Sequence, residues 1–122
     1  MSKGSCKVLV VDDDDENRHM LVATLEQAGY FPLGAEDGAK AIARLEDGWD
    51  PDLILTDLMM PQMNGWDLCE ALKACPAWRS IPIIVLCGMS ADQRGKLLVD
   101  DAFEKPTQLE LLLNRIAELC GV

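Results

Sequence analysis

Three short runs of consecutive apolar residues constrain the fold of this chain most strongly. They lie at residues 7–11 (KVLVV), 53–56 (LILT) and 83–87 (IIVLC). A strand with apolar side chains on both faces must be covered on both sides, and this pattern is typical of parallel sheets flanked by helices. No run approaches the roughly 20 residues that a membrane-spanning helix requires. The runs therefore predict a buried parallel sheet and no membrane partner.

Amphipathic helical segments separate these strands. Apolar residues recur at helical spacing in four places, 20–28, 38–45, 68–75 and 109–120, and a short helix is predicted weakly over 90–99. Weaker strands are predicted at 30–35, with Pro32 favouring a sheet edge, and at 102–104. Strands that alternate with helices in this way predict an α/β fold, a doubly wound five-stranded parallel sheet. We expect one domain over residues 1–122, with 1–6 as a flexible N-terminus.

Charge and cysteine content exclude several classes of protein. The formal net charge is −10, which argues against direct nucleic-acid binding because phosphate neutralisation needs clustered Lys and Arg. No apolar secretory segment precedes the first strand. The five cysteines form no C-x-x-C pair and there is one histidine, so a zinc site is not expected. We predict reduced thiols in a cytoplasmic protein rather than a disulfide framework.

Charged residues stand directly after several of the predicted strands. Asp12 and Asp13 follow the first strand, Asp57 ends the third and Lys105 follows the fifth. The carboxyl ends of parallel strands share one edge of the sheet, where ligands bind in open α/β folds. Converging carboxylates repel one another, and Mg²⁺ with its oxygen ligands would relieve that repulsion. Together with the lysine, these groups fit phosphoryl transfer to Asp57 as nucleophile.

The rest of the acidic run has a simpler interpretation. Asp14 is a favourable helix N-cap, and Asp15 and Glu16 suit the positive end of a helix dipole. We therefore assign these three residues to helix initiation and keep Asp12 and Asp13 as site residues.

The sequence resembles the response-regulator receiver family. The matching pieces are VLVVDD (8–13), DLMMPQMNG (57–65), IPIIVL (81–86) and KP (105–106). This resemblance implies the flavodoxin-like strand order 2-1-3-4-5. It also implies that Asp57 accepts a phosphoryl group from a sensor histidine kinase or a phosphotransfer protein. The signal would pass to a downstream protein effector or a fused output domain, which describes a binding module rather than an enzyme with turnover.

The same resemblance implies a ligand set for Mg²⁺. Asp13 and Asp57 would bind the ion directly, Asp12 through water, and Met59 through its backbone carbonyl. Lys105 would contact the phosphoryl oxygens and precede a cis peptide bond to Pro106.

Three departures from the family pattern fall on its usual activation relay. Cys87 stands where the family has Thr or Ser, and a thiol is a weak hydrogen-bond donor. Ala102 stands where the family has Tyr or Phe, and Phe103 lies on the opposite face of the strand. The chain from Cys87 to Lys105 is about one helical turn short, roughly 3.6 residues, which implies a shortened fourth helix. We expect phosphorylation with an altered switch.

Three alternatives stay open at this point. A degenerate receiver could serve as a phosphorylation-independent docking module. An aspartate-nucleophile phosphatase, also Mg²⁺-dependent, needs a second acid two residues after the nucleophile, where Met59 stands. A flavin-binding module needs a neutral phosphate loop after the first strand, and the five acids at 12–16 would repel phosphate.

Overall fold

The computed structural model describes residues 6–57, 65–87, 101–104 and 109–120. The described strands are β1 (Lys7–Val11), β2 (Phe31–Ala35), β3 (Leu53–Asp57), β4 (Ile83–Cys87) and β5 (Asp101–Glu104). The described helices are α1 (Asp15–Gln27), α2 (Gly38–Glu46), α3 (Gly65–Ala74) and α4 (Leu109–Cys120). The short helix predicted over residues 90–99 lies outside the described part of the chain. None of the helices within that part is long and apolar enough to cross a membrane.

The strands form one parallel sheet in the order β2-β1-β3-β4-β5. The predicted α/β fold with a parallel sheet is confirmed. Pro32 lies in β2, an edge strand, where its missing N–H leaves no gap in the centre of the sheet. Val11 of β1 is level with Thr56 of β3. The residues that follow these two positions, Asp12 and Asp57, therefore emerge at the same edge of the sheet.

Apolar side chains cover the sheet on both faces. Leu9 and Val11 of β1 belong to one buried cluster, whereas Val8 and Val10 belong to the other. The first cluster contains residues of α2 and α3, and the second contains residues of α1 and α4. Burying each large aliphatic side chain contributes about 1.5–3 kcal/mol. The two clusters explain why the central strands carry continuous apolar runs instead of alternating polar residues.

Side-chain capping sets the start of α1 and α2. Asp14 is the N-cap of α1, and its carboxylate accepts a hydrogen bond from the Asn17 N–H at 3.2 Å. Asp37 caps α2 by accepting from the Lys40 N–H at 2.8 Å. Asp15 and Glu16 lie in the first turn of α1, where their charge faces the positive end of the dipole. The predicted role of Asp14, Asp15 and Glu16 in starting this helix is thus confirmed.

The prediction of reduced thiols is wrong for two of the five cysteines. Cys6 and Cys120 form a disulfide bond across a sequence separation of 114 residues, with Cα atoms 6.1 Å apart. Cys69 and Cys75 are free thiols in the described chain. Spacing rules detect cysteines that are close in sequence, whereas this pair meets because α4 returns along the sheet to the start of β1. Cys6 is also fully buried, so a flexible N-terminus that includes this residue is corrected too; residues 1–5 lie outside the described chain.

Candidate functional site

Three carboxylates converge at the carboxyl edge of the sheet, as the sequence predicts. One oxygen from each of Asp12, Asp13 and Asp57 lies within 4.8 Å of the others. Asp12 and Asp57 are buried, with 1% and 8% of their surface exposed, and Asp13 is exposed. Two acids are thus held rigidly at the base of the cluster while the third faces solvent.

Local hydrogen bonds fix the position of Asp12. Its Oδ1 accepts from the Asp14 N–H at 2.9 Å, and its Oδ2 accepts from the side-chain amide of Asn17. Its own N–H donates to the Ala35 carbonyl at the end of β2, at 3.1 Å. A carboxylate with several donors is stabilised in its charged form. These hydrogen bonds hold the Asp12 carboxylate in a buried position beside the other two acids.

Arg18 supports the same loop from below. Its Nη1 donates to the Asp12 carbonyl oxygen at 2.9 Å, and its Nη2 forms an ion pair with Asp15 at 2.6 Å. The aliphatic part of the Arg18 side chain passes over β2 at Gly34, where an added Cβ would lie 3.2 Å from the Arg18 Cδ. The absence of a side chain at Gly34 thus lets the arginine reach the site, and a planar multi-donor guanidinium is suited to bridging two acceptors.

Sequence reasoning missed Asn17 and Arg18. The signal for Arg18 was present, because it lies three and seven residues before Leu21 and Leu25 on the buried face of α1. A charged residue on an apolar helical stripe needs partners, and Asp12 and Asp15 supply them. Asn17 carried no comparable signal, since its role depends on how the loop after β1 folds back.

Asp57 is the last residue of β3, and β3 lies between β1 and β4. It pairs in register with Leu86 of β4. The Thr56 hydroxyl donates to the Asp57 carbonyl at 2.9 Å. Because β3 is a central strand that is buried along its whole length, its last residue places the Asp57 carboxylate at the carboxyl edge of the sheet.

Several predicted site residues cannot be compared with the structure. Met59, Lys105 and the Lys105–Pro106 peptide bond lie outside the described residues, as does the side chain of Cys87. The backbone register pairs Ala102 with Val85 and Phe103 with Leu86. The proposed roles of these residues stay predictions.

The chemistry of the cluster fits a hard divalent cation. The donors found among the described residues are all carboxylate oxygens, which Mg²⁺ and Ca²⁺ prefer. Two unit charges 4.8 Å apart repel by roughly 3.5 kcal/mol at an effective dielectric constant of 20 and by about 0.9 kcal/mol in water. A dication would replace this repulsion with attraction, so the residues present fit Mg²⁺.

Comparison with known proteins agrees with this geometry. The family model described as "Response regulator receiver domain" matches residues 8–117. The chain is 36% identical over 114 residues to the phosphate regulon transcriptional regulatory protein PhoB of Escherichia coli (strain K12), a match that covers 90% of this chain and 49% of PhoB. The chain therefore spans about half the length of that relative.

Two solved structures show the same fold. Chemotaxis protein CheY4 of Vibrio cholerae superposes with a TM-score of 0.86 at 29% identity, covering 93% of this chain and 98% of CheY4. The receiver domain of sensor histidine kinase PA1611 from Pseudomonas aeruginosa PAO1 gives a TM-score of 0.85 at 25% identity, covering 96% and 98%. That structure has a magnesium ion coordinated in its active site cleft. From the family match, the parallel fold and the three converging carboxylates, the chain belongs to the response regulator receiver domain family of two-component signalling.

Proposed function

We propose that this domain is a phosphoacceptor, with Asp57 receiving a phosphoryl group from a phosphohistidine of a sensor histidine kinase or phosphotransfer protein. The observation that carries the proposal is the convergence of Asp12, Asp13 and Asp57 within 4.8 Å at the carboxyl edge of the sheet. An oxygen of Asp57 attacks phosphorus, the P–N bond breaks, and the imidazole nitrogen leaves with the bonding electron pair. The domain is then a signalling module rather than an enzyme with turnover.

The residues around Asp57 have different proposed roles in metal binding and phosphoryl transfer. Asp13 and Asp57 would hold Mg²⁺ directly, Asp12 would hold it through water, and the Met59 carbonyl would complete the protein ligands. Bound Mg²⁺ supplies positive charge that offsets the negative charge of the incoming phosphoryl oxygens. Asn17 and Arg18 keep the Asp12 loop in place through the hydrogen bonds described above. Lys105 would contribute a second positive charge to the phosphoryl group.

The output is proposed to use an altered switch. Cys87 and Ala102 replace the hydroxyl and the aromatic residue that couple phosphorylation to a surface change in the family pattern. PhoB, which is about twice as long as the matched segment, is a transcriptional regulatory protein. By analogy, the phosphorylated domain would act on a fused output domain or on a separate protein effector, in the cytoplasm.

Intact-mass measurement tests the acceptor role directly. With Mg²⁺ and a small phosphodonor such as acetyl phosphate, the protein should gain one phosphoryl group, and the gain should disappear when EDTA removes the metal. Asp57→Asn should gain none, whereas Asp50→Asn, which removes an exposed acid outside the cluster, should behave like the parent protein. A phosphoryl group retained in Asp57→Asn would refute the assignment.

The degenerate-receiver alternative is separated by the same experiment. It predicts no adduct with any donor, even though Mg²⁺ binds. The altered switch has its own test in Cys87→Thr: if this substitution alone restores a phosphorylation-dependent change in tryptophan fluorescence, the relay beyond Cys87 was intact.

A further inference from the structure

The two ends of the described domain meet at a buried pair of cysteines. Cys6 directly precedes β1, and Cys120 is the last residue of α4. Their Cα atoms are 6.1 Å apart, within the range that a disulfide spans without backbone movement, and their sulfur atoms are bonded. Both residues belong to the apolar cluster between the sheet, α1 and α4, with exposures of 0% and 3%.

We propose that Cys6 and Cys120 form a reversible redox modification site that locks and releases the C-terminal end of α4. The oxidant class is a disulfide of the glutathione type. The thiolate of one cysteine attacks a sulfur of that disulfide, which gives a mixed disulfide and releases one thiol. The second cysteine then displaces the other thiol. The two protein thiols lose two protons and two electrons, and the external disulfide is reduced to two thiols.

The structure indicates which end of the pair must move. The carbonyl of Cys6 accepts a hydrogen bond from the Phe31 N–H at 3.0 Å, so its backbone is tied to the first residue of β2. Cys120 lies in the last turn of α4, where helices fray most readily because the final carbonyls have no partners within the helix. Exchange therefore requires the last turn of α4 to open, and closure of the bond prevents that opening.

The redox pair lies far from the carboxylate cluster. Cys6 stands before β1 and Asp12 stands after it, and the chain between them spans about 20 Å along the strand. The oxidation state should therefore change the stability of the fold and the opening of α4, and it should leave Mg²⁺ affinity unchanged. This separation keeps the redox proposal independent of the phosphoacceptor proposal.

Thiol counting tests the bond itself. The protein is equilibrated with oxidised glutathione, alkylated with N-ethylmaleimide in denaturant with or without prior dithiothreitol, and weighed. Reduction should expose two further thiols in the parent protein and in Cys75→Ser, and peptide mapping should join Cys6 to Cys120 within one chain. No additional thiols, or a link between two chains only, would overturn the proposal.

Stability and exchange measurements test the consequence. The bond closes a loop of more than a hundred residues, so reduction should lower Tm on the order of 10 °C. Reduction should also speed amide exchange in the last turn of α4 at least tenfold, because that turn can then open by itself. Cys120→Ser should abolish both redox effects. Because the main comparison is between the oxidised and reduced parent protein, the test holds even if Cys120→Ser folds poorly. Equal Tm and equal amide exchange in the two redox states would refute the proposal.

Discussion

Asp57→Asn should make the metal-free domain more stable, although it removes the proposed phosphoacceptor. The side chain keeps its shape and loses its charge, so the change removes the repulsion between Asp57 and the other two acids of the cluster. An oxygen of Asp57 lies within 4.8 Å of oxygens of Asp12 and Asp13. At this separation, each pair of charges repels by roughly 3.5 kcal/mol at an effective dielectric constant of 20 and by about 0.9 kcal/mol in water.

Burial decides where each pair falls between these limits. Asp12 and Asp57 are both buried, so their repulsion lies toward the upper figure, whereas solvent screens the exposed Asp13. The unfolded chain keeps little of this repulsion because its acids are hydrated and apart. We therefore expect Asp57→Asn to raise the free energy of unfolding by about 1–3 kcal/mol in EDTA. The sign is unusual, since most substitutions of buried residues destabilise.

Mg²⁺ should stabilise the parent protein more than it stabilises Asp57→Asn. At a Mg²⁺ concentration ten times Kd, the parent protein gains about 1.4 kcal/mol from binding. Asp57→Asn should gain much less because it has lost a charged ligand. Urea unfolding followed by tryptophan fluorescence, with EDTA or with Mg²⁺, measures both quantities, and Asp50→Asn provides the control for general charge reduction. The reasoning fails if Asp57→Asn is neutral or destabilising in EDTA, or if Mg²⁺ stabilises it as much as the parent.

Three further predictions concern neighbouring parts of the fold. Gly34→Ala should displace Arg18 from the Asp12 carbonyl, which should lower the free energy of unfolding by about 1 kcal/mol and weaken Mg²⁺ binding in a calorimetric titration. The control is Gly48→Ala, which is strained by a φ of 97° and should lower stability without changing Mg²⁺ binding. Burial raises the pKa of the Cys69 thiol from 9.0 to about 11, partly offset by Lys73. The free energy of unfolding should therefore be unaffected by this thiol below pH 9 and should fall by about 2–3 kcal/mol as the pH rises to 11, because the unfolded chain loses the proton first. Cys69→Ala should reduce this fall, as measured by urea unfolding at alkaline pH. Ile54→Ala should cost about 2–5 kcal/mol because Ile54 is fully buried in β3, whereas Leu111→Ala at an exposed position should stay within about 0.5 kcal/mol; equal costs would contradict the two-layer core.

Local pattern was sufficient for much of this domain. The apolar runs at β1, β3 and β4 and the helical spacing of α1 and α4 follow from side-chain burial on a strand or one helix face, which depends on residues near in sequence. The convergence of Asp12, Asp13 and Asp57 was also predictable, because parallel strands place their carboxyl ends at one edge. The predicted roles of Met59, Lys105 and Cys87 stay predictions.

Tertiary structure decided the features that join distant residues. Nothing in the spacing of the cysteines indicates that Cys6 meets Cys120, since the pairing depends on how α4 packs against the start of β1. The arrangement of Arg18 over Gly34 and beneath Asp12 likewise needs α1, β2 and the loop after β1 in place together. By itself, the sequence determined which face of each helix is apolar, which strands are apolar on both faces and which acids follow those strands, because side-chain periodicity is a local property. Distances between residues far apart in sequence depend on how the helices and strands pack. That packing decided the Cys6–Cys120 bond and the contact of Arg18 with the Asp12 carbonyl.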